Sequence, residues 1–265
     1  MIKYVILVFA IFFLFGCSQG MQSKKKVIAA VQSIDSLIVL SKTTSFSDSV
    51  RNGYLLKAKQ HIEWLKNDSL KARLLIRTAH STQLLGDFKS YGQSSKKALK
   101  YATGGNDTIV LSRAYYYLGY FYQFTYKPDS SYYFYNKALQ LFALKKDIKN
   151  EGRLLLTMAM VQESVRDYTG SEISSIKAIS KLERTKDFKS LYTVYNSLAL
   201  ARKNLGDYSS ALQNFEKAKE YLGKVENNKF LFAYLYNNTG RIYAAQNRYK
   251  MALDYYTNAI KIKNL

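Results

Sequence analysis

The residue types that usually carry catalysis or bind metals are few in this chain. It has two histidines, His61 and His80, and one cysteine, Cys17. A zinc site needs several Cys, His or carboxylate ligands, and a nucleophilic triad needs a base beside its nucleophile. His61 lies near Glu63, but no further partner stands at metal or triad spacing. The sequence therefore predicts a protein that is not an enzyme and that uses no cofactor and no metal.

The single cysteine indicates a different chemistry. It follows Gly16 at the end of an unbroken apolar run of 11 residues, Val5 to Phe15, which Lys3 precedes. Such a run suits a signal peptide and is too short to cross ~30 Å of hydrocarbon as a helix. This context resembles the lipobox of bacterial lipoproteins, in which a small residue precedes a cysteine whose thiol takes a diacylglycerol. The alternative is a plain secretory signal with an incidental cysteine.

The lipobox resemblance implies an exported protein that a lipid anchors to a membrane, facing the periplasm or the cell surface. It makes residues 1–16 the signal peptide and Cys17 the lipidated residue, carrying palmitate or similar acyl chains. Residues 17–26 then form a lipidated tether that includes Lys24, Lys25 and Lys26.

Most of the remaining chain repeats itself, and internal repeats define the fold when they are present. A turn-like tripeptide recurs between helical apolar patterns, as Gly86-Asp87-Phe88, Arg166-Asp167-Tyr168 and Gly206-Asp207-Tyr208, with Asn247-Arg248-Tyr249 as a weaker copy. Alanines recur at spacings of 40, 40, 40, 40 and 41 residues, at positions 58, 98, 138, 178, 218 and 259. The Gly suits a left-handed helix end, and the Asp suits the cap of the next helix.

This pattern resembles the tetratricopeptide repeat, a helix–turn–helix unit with small residues where its two helices cross. The residues that carry the resemblance in its clearest unit are Tyr195, Leu198, Ala199, Gly206, Tyr208, Ala211, Phe215 and Ala218. The resemblance implies an all-α fold, a right-handed superhelical solenoid of antiparallel helix pairs with about twelve helices. The period exceeds the family's usual 34 residues, so we expect the helices to be longer by about a turn.

The repeat boundaries follow from the same alignment. Residues 27–71 form a degenerate first pair, and residues 72–265 form five repeats of about 40 residues. Those five are predicted at 72–111, 112–151, 152–191, 192–232 and 233–265.

In this family, a concave groove is lined by fixed positions of the first helix of each repeat. Mapped onto this chain, the groove residues are Arg73, Arg77, His80, Arg113, Tyr116, Tyr120, Arg153, Met160, Asn196, Lys203, Tyr234, Asn237 and Arg241. They are basic and aromatic, which suits an acidic protein or peptide as partner. The alternative is that the arginines are merely exposed.

The net charge of +21 comes from 40 Lys and Arg against 19 Asp and Glu. A balance this basic also occurs in nucleic-acid-binding proteins. The lysines are spread along the chain, however, and an exported protein does not meet the chromosome, so we expect a solvated basic surface and no nucleic-acid partner.

Two functions remain open at this stage. The first is a lipid-anchored scaffold for protein–protein interaction. The second is an extracytoplasmic sensory module, truncated from a transcriptional regulator or histidine kinase with such repeats. A helical solenoid usually needs a polar helix to cover the apolar face of its last repeat, and this sequence shows no such helix after the last repeat. We therefore expect part of Leu253, Tyr255, Ile260 and Ile262 to stay exposed on the last helix, and we expect self-association through this surface.

Overall fold

The computed structural model describes residues 24–263, and within them it contains twelve helices and no strand. The helices are α1 (24–40), α2 (Asp48–Glu63), α3 (Asp68–Leu84), α4 (Phe88–Gly104), α5 (Thr108–Phe124), α6 (Pro128–Leu144), α7 (Ile148–Ser164), α8 (Tyr168–Leu182), α9 (Phe188–Asn204), α10 (Tyr208–Leu222), α11 (Lys229–Ala245) and α12 (Tyr249–Lys263). They alternate as A helices (odd numbers) and B helices (even numbers), and form pairs of the tetratricopeptide type. The predicted all-α class and helix number are thus confirmed, while the superhelical course stays a prediction.

The signal segment and Cys17 lie outside the described residues. The helix pairs begin at residues 68, 108, 148, 188 and 229, four residues before the boundaries drawn from the repeat alignment. Helices of 15 to 17 residues make up these pairs, so the additional residues of the 40-residue period lie largely in the helices.

Each A helix after the first is followed, two residues after its last residue, by a residue with positive φ, as the tripeptides predicted. Gly86 and Gly206 have φ of +71° and +87°, and the equivalent residues in the other pairs are Tyr126, Arg166 and Asn247. At the clearest turn, the Asp207 amide donates to Arg202 O (2.9 Å) and the Gly206 amide to Lys203 O (3.1 Å). These two bonds form a Schellman motif and satisfy carbonyls at the helix end. The same bond pattern closes the other four turns.

The aspartate of each tripeptide then begins the B helix. Asp87, Asp167 and Asp207 each accept a bond from a backbone amide three residues on, at 2.9 to 3.0 Å. Lys127 and Arg248 take the place of the aspartate before α6 and α12. In α6, Pro128 stands in the first turn, where its missing N–H costs nothing. The residue with positive φ and the capping side chain therefore determine the turn, and the turn sets the two helices of a pair antiparallel.

Alanines of the recurring series lie where the helices cross. Ala58, Ala98, Ala138, Ala178 and Ala218 are completely buried, and Ala259 is 9% exposed. Small side chains at these points allow helix axes to approach to about 8–10 Å. Ser171 and Ser175, which replace the usual small and aromatic residues in the α7–α8 pair, are completely buried as well.

The chain divides into two compact units between Phe121 and Tyr122, within α5. The first unit has a core around Ile34, Ile38, Ile62 and Leu74. The second unit has one cluster around Leu155, Leu182 and Val194, and another around Phe215, Leu222 and Ile242. Each unit thus has its own apolar core, which holds its A helices in place.

Replacing Gly206 with alanine tests the turn. We expect the variant to lose about 1–2 kcal/mol of stability, because an L-residue pays that much in the left-handed region. The control is Gly53→Ala on α2, where nothing lies within 4 Å of an added Cβ and where we expect a gain of about 0.5–1 kcal/mol. Urea unfolding monitored by circular dichroism measures both changes, and a shift of equal sign in the two variants would contradict the turn assignment.

Candidate binding surface

In the first unit, the arginines predicted on α3 are held by acidic side chains of their own unit. Arg73 donates to Asp107 at 3.1 Å, and Asp107 also caps α5 through the amides of Ile109 and Val110. Arg77 donates to Asp35 of α1. Both pairs are substantially exposed to water, where an ion pair contributes about 0–1 kcal/mol. These two arginines therefore stabilise helix packing weakly, and a competing carboxylate could displace the pairing.

The other groove residues of the first unit form a more open surface. His80 and Arg113 are exposed, whereas Tyr116 and Tyr120 are half-buried. The Tyr120 hydroxyl accepts a bond from Gln83 Nε2 at 2.9 Å, which links α5 to α3. Partial burial of its ring and then the positive charge of Lys42 lower the pKa of His80, which favours the neutral imidazole.

In the second unit, Arg153 is also tied to the fold. Its Nε donates to Asp187 Oδ2 at 2.5 Å. Asp187 is buried and caps α9, accepting bonds from the amide and hydroxyl of Ser190. Burial alone would raise the pKa of Asp187, but Arg153 and Ser190 outweigh it and hold that pKa below its usual range.

Three charged side chains on successive A helices form what we call the charged cluster: Glu163 on α7, Lys203 on α9 and Arg241 on α11. Burial raises the pKa of Glu163, although Lys203 and Arg241 oppose the shift. Burial and the nearby Arg241 lower the pKa of Lys203, against the attraction of Glu163. Arg241 is exposed. The cluster carries two cations against one carboxylate, and within residues 24–263 none of the three forms an ion pair within 4 Å.

Neutral groove residues of the second unit divide into exposed and buried ones. Met160 is 46% exposed, Tyr234 is 51% exposed, and Asn237 is exposed too. Asn196 corrects the expectation that it lines an open groove, because it is buried and its Oδ1 accepts a bond from Asn238 Nδ2 at 3.1 Å. Asn238 lies on α11, so the next A helix covers this position.

The last pair exposes apolar side chains, as the sequence led us to expect. Leu253 and Ile260 are 64% and 61% exposed. Tyr255 and Ile262 are half-buried, and Tyr255 stacks on Tyr243 with ring centroids 5.3 Å apart. Whether this surface mediates self-association stays a prediction.

Sequence reasoning missed the acidic half of this surface. Asp107 and Asp187 both lie 34 residues after their arginine partners, and Glu163 lies 40 residues before Lys203. The 40-residue period relates Asp107 to Asp147 and Asp187, and it places Glu163 at the repeat position of Lys203. Aligning acidic as well as basic residues by this period would therefore have indicated all three.

The described residues contain neither a membrane-spanning helix nor a metal-binding group of side chains. No helix between residues 24 and 263 is both long and apolar enough to span a bilayer. In the same range, no three His, Cys, Asp or Glu side chains converge to hold a metal ion.

Comparisons with known proteins agree with the repeat architecture. Residues 190–264 match the family model of the tetratricopeptide repeat. A comparison with curated proteins found no match.

Several solved structures share the fold at low sequence identity. BtubC (BKLC) from P. vanneervenii is 18% identical, with a TM-score of 0.67, over 91% of each chain. RapI in its apo form is 16% identical, with a TM-score of 0.71, over 88% of this chain and 64% of RapI. Aspartyl phosphate phosphatase F from Bacillus subtilis is 14% identical, with a TM-score of 0.65, over 89% of this chain and 69% of the phosphatase.

Identities this low establish the fold and nothing further. The family match covers residues 190–264 alone, and the described helices pair as they do in helical-repeat proteins of the tetratricopeptide class. Proteins of this class serve generally as scaffolds that bind other proteins or peptides.

Proposed function

We propose that this protein is a lipid-anchored scaffold that binds an acidic protein or peptide along its A helices. In this proposal the chain is exported, Cys17 carries the anchor, and the repeats face the periplasm or the cell surface. The apolar run that ends at Gly16-Cys17 supports the anchor, and the repeat architecture supports the binding role.

The charged cluster is the observation that carries the binding proposal. Two cations lie close enough to one half-buried carboxylate for the three charges to affect one another's pKa values, so the cluster has a net positive charge. Met160 and Tyr234 add exposed apolar surface on the same set of A helices. Charge-assisted bonds to a partner's carboxylates, flanked by apolar contacts, are a common mode of peptide recognition.

Charge reversal at Lys203 and Arg241 tests this function. We expect the double variant Lys203→Glu, Arg241→Glu to bind acidic, aromatic-containing peptides at least about tenfold more weakly, because each charge-assisted bond contributes about 1.5–3 kcal/mol. Fluorescence anisotropy with labelled acidic, neutral and basic peptides of matched apolar content measures the change. Binding to the acidic peptides should also weaken with added salt.

Two further variants separate local chemistry from net charge. Lys177→Glu, Lys250→Glu changes the total charge equally at exposed positions on α8 and α12, and we expect it to keep nearly full affinity. Glu163→Gln removes the competing carboxylate, so it should bind acidic peptides several-fold more tightly. Equal losses in the two double variants, or a preference for basic peptides, would reject the proposed site.

A further inference from the structure

A shallow apolar groove lies at the edge of the first unit, where α1 begins, α2 ends and α3 begins. Its volume is about 700 Å³, and Val27, Ala30, Trp64, Leu65 and Leu70 supply most of its apolar lining. Trp64 stacks on His61 with ring centroids 5.1 Å apart. The groove therefore has an aromatic wall formed by two stacked rings.

Several apolar side chains at this edge are left in water. Trp64, the only tryptophan of the chain, is 77% exposed, Val27 is 45% exposed and Ile28 is 57% exposed. Tryptophan has a large apolar ring and a polar N–H, so it favours the boundary between water and lipid. Trp64 and Val27 line the same groove, and contiguous exposed apolar surface commonly marks an interaction site.

The charges around the groove are mainly positive. Lys24, Lys25, Lys26 and Lys66 are exposed here, and Asp68 at the start of α3 lies two residues after Lys66. The other nearby carboxylate, Glu63, is already paired with Lys97 at 2.8 Å and accepts a bond from the Tyr101 hydroxyl at 2.8 Å. The partial positive charge of the α3 N-terminus lies at the same edge.

We propose that this edge, the membrane seat, docks on an anionic phospholipid surface, with Trp64 and Val27 at the level of the headgroups. The inference rests on the proposed lipid anchor. Cys17 precedes Lys24 by seven residues, and a chain of that length reaches at most about 25 Å. A lipid on Cys17 therefore holds this edge next to the bilayer, where clustered lysines attract anionic lipids.

Chemical coupling to vesicles tests the membrane seat without any cellular modification. Residues 17–265, which contain every described helix, carry one cysteine, so a maleimide lipid attaches the protein at Cys17 alone. On vesicles of phosphatidylglycerol and phosphatidylethanolamine, we expect Trp64 emission to move to shorter wavelength and to be quenched by brominated acyl chains. On phosphatidylcholine vesicles the change should be much smaller. Unchanged emission on the anionic vesicles would overturn the proposal.

Matched variants test which residues produce the shift in Trp64 emission. Val27→Asp should abolish the emission shift, whereas Val39→Asp, on the same helix and 59% exposed, should retain it. Replacing Lys24, Lys25 and Lys26 with Gln should weaken vesicle binding of the uncoupled protein by about fivefold per lysine. A vesicle-free dimer that Trp64→Ala dissociates would instead identify a second copy as the occupant and overturn the membrane seat.

The lipid anchor itself is tested separately, by acyl labelling in cells. Labelling of Cys17 together with no change in Trp64 emission would reject the membrane seat and keep the anchor. An emission shift on coupled vesicles together with no labelling would reject the anchor and keep the affinity of this edge for anionic lipid.

Discussion

Cys17→Ala is expected to abolish acyl labelling of the protein. The thiol of Cys17 is the only one in the chain, so no other side chain can form the thioether. Each buried CH₂ of an acyl chain contributes about 0.8 kcal/mol, and several chains together anchor a protein stably.

Labelling with palmitate, followed by fractionation and mass measurement, is the experiment. Ser18→Ala is the matched control, since it makes the same replacement one residue away and should stay labelled and membrane-bound. Labelling, rather than fractionation, is the deciding measurement. A variant that keeps its apolar segment, Val5 to Phe15, would stay in the membrane fraction even without a lipid. A labelled Cys17→Ala variant would show that the lipobox hypothesis is wrong.

Local chemistry explains why the turns could be predicted from the sequence. Gly86 and Gly206 adopt the left-handed conformation that the tripeptides indicated, and Asp87 and Asp207 cap the helices that follow. These features depend on a few neighbouring residues, so the sequence pattern contains them. The recurring alanines were predictable for a related reason, since a fixed period places them on the same face of every pair.

Contacts between pairs were harder to predict, as Asn196 shows. Its repeat position suggested an open groove, but Asn238 of the following A helix bonds to it and covers it. That outcome depends on a residue 42 positions away and on how closely two A helices approach. A period identifies the face of a helix but not the depth to which the neighbouring helix buries it.

The same limit applies to the groove arginines. Their positions suggested side chains available to a partner, yet Arg73, Arg77 and Arg153 all donate to aspartates of their own units. The acidic partners come from a different repeat or from a helix cap, which a list of groove positions does not include. This finding moves the expected binding site toward Lys203 and Arg241.

Replacing Asp187 with asparagine should separate its charge from its role as a helix cap. Asparagine caps a helix about as well as aspartate, so the variant keeps the bond to α9 and loses the ion pair with Arg153. Asp187 is buried, whereas the Arg153 side chain is 48% exposed. We therefore expect a loss of about 2 kcal/mol at neutral pH, below the ~3–5 kcal/mol of a fully buried pair.

The stability lost in Asp187→Asn should depend on pH in a definite direction. Because the pKa of Asp187 is lower in the folded protein than in the unfolded chain, its carboxylate stabilises the fold above the unfolded pKa of ~3.9. That contribution is lost as the pH falls through the folded pKa. The stability difference between the native protein and Asp187→Asn should therefore be full at neutral pH and shrink below about pH 4.

Urea unfolding at several pH values measures this difference, and Asp167→Asn is the control. Asp167 caps α8 by the same amide bond but forms no ion pair within residues 24–263, so its replacement should cost about 0.5 kcal/mol or less. Arg153→Gln should reproduce the effect of Asp187→Asn, and the double variant should add little to either. Additive losses, or a loss for Asp187→Asn that persists at low pH, would mean that Arg153 does not depend on this carboxylate and is available to a partner after all.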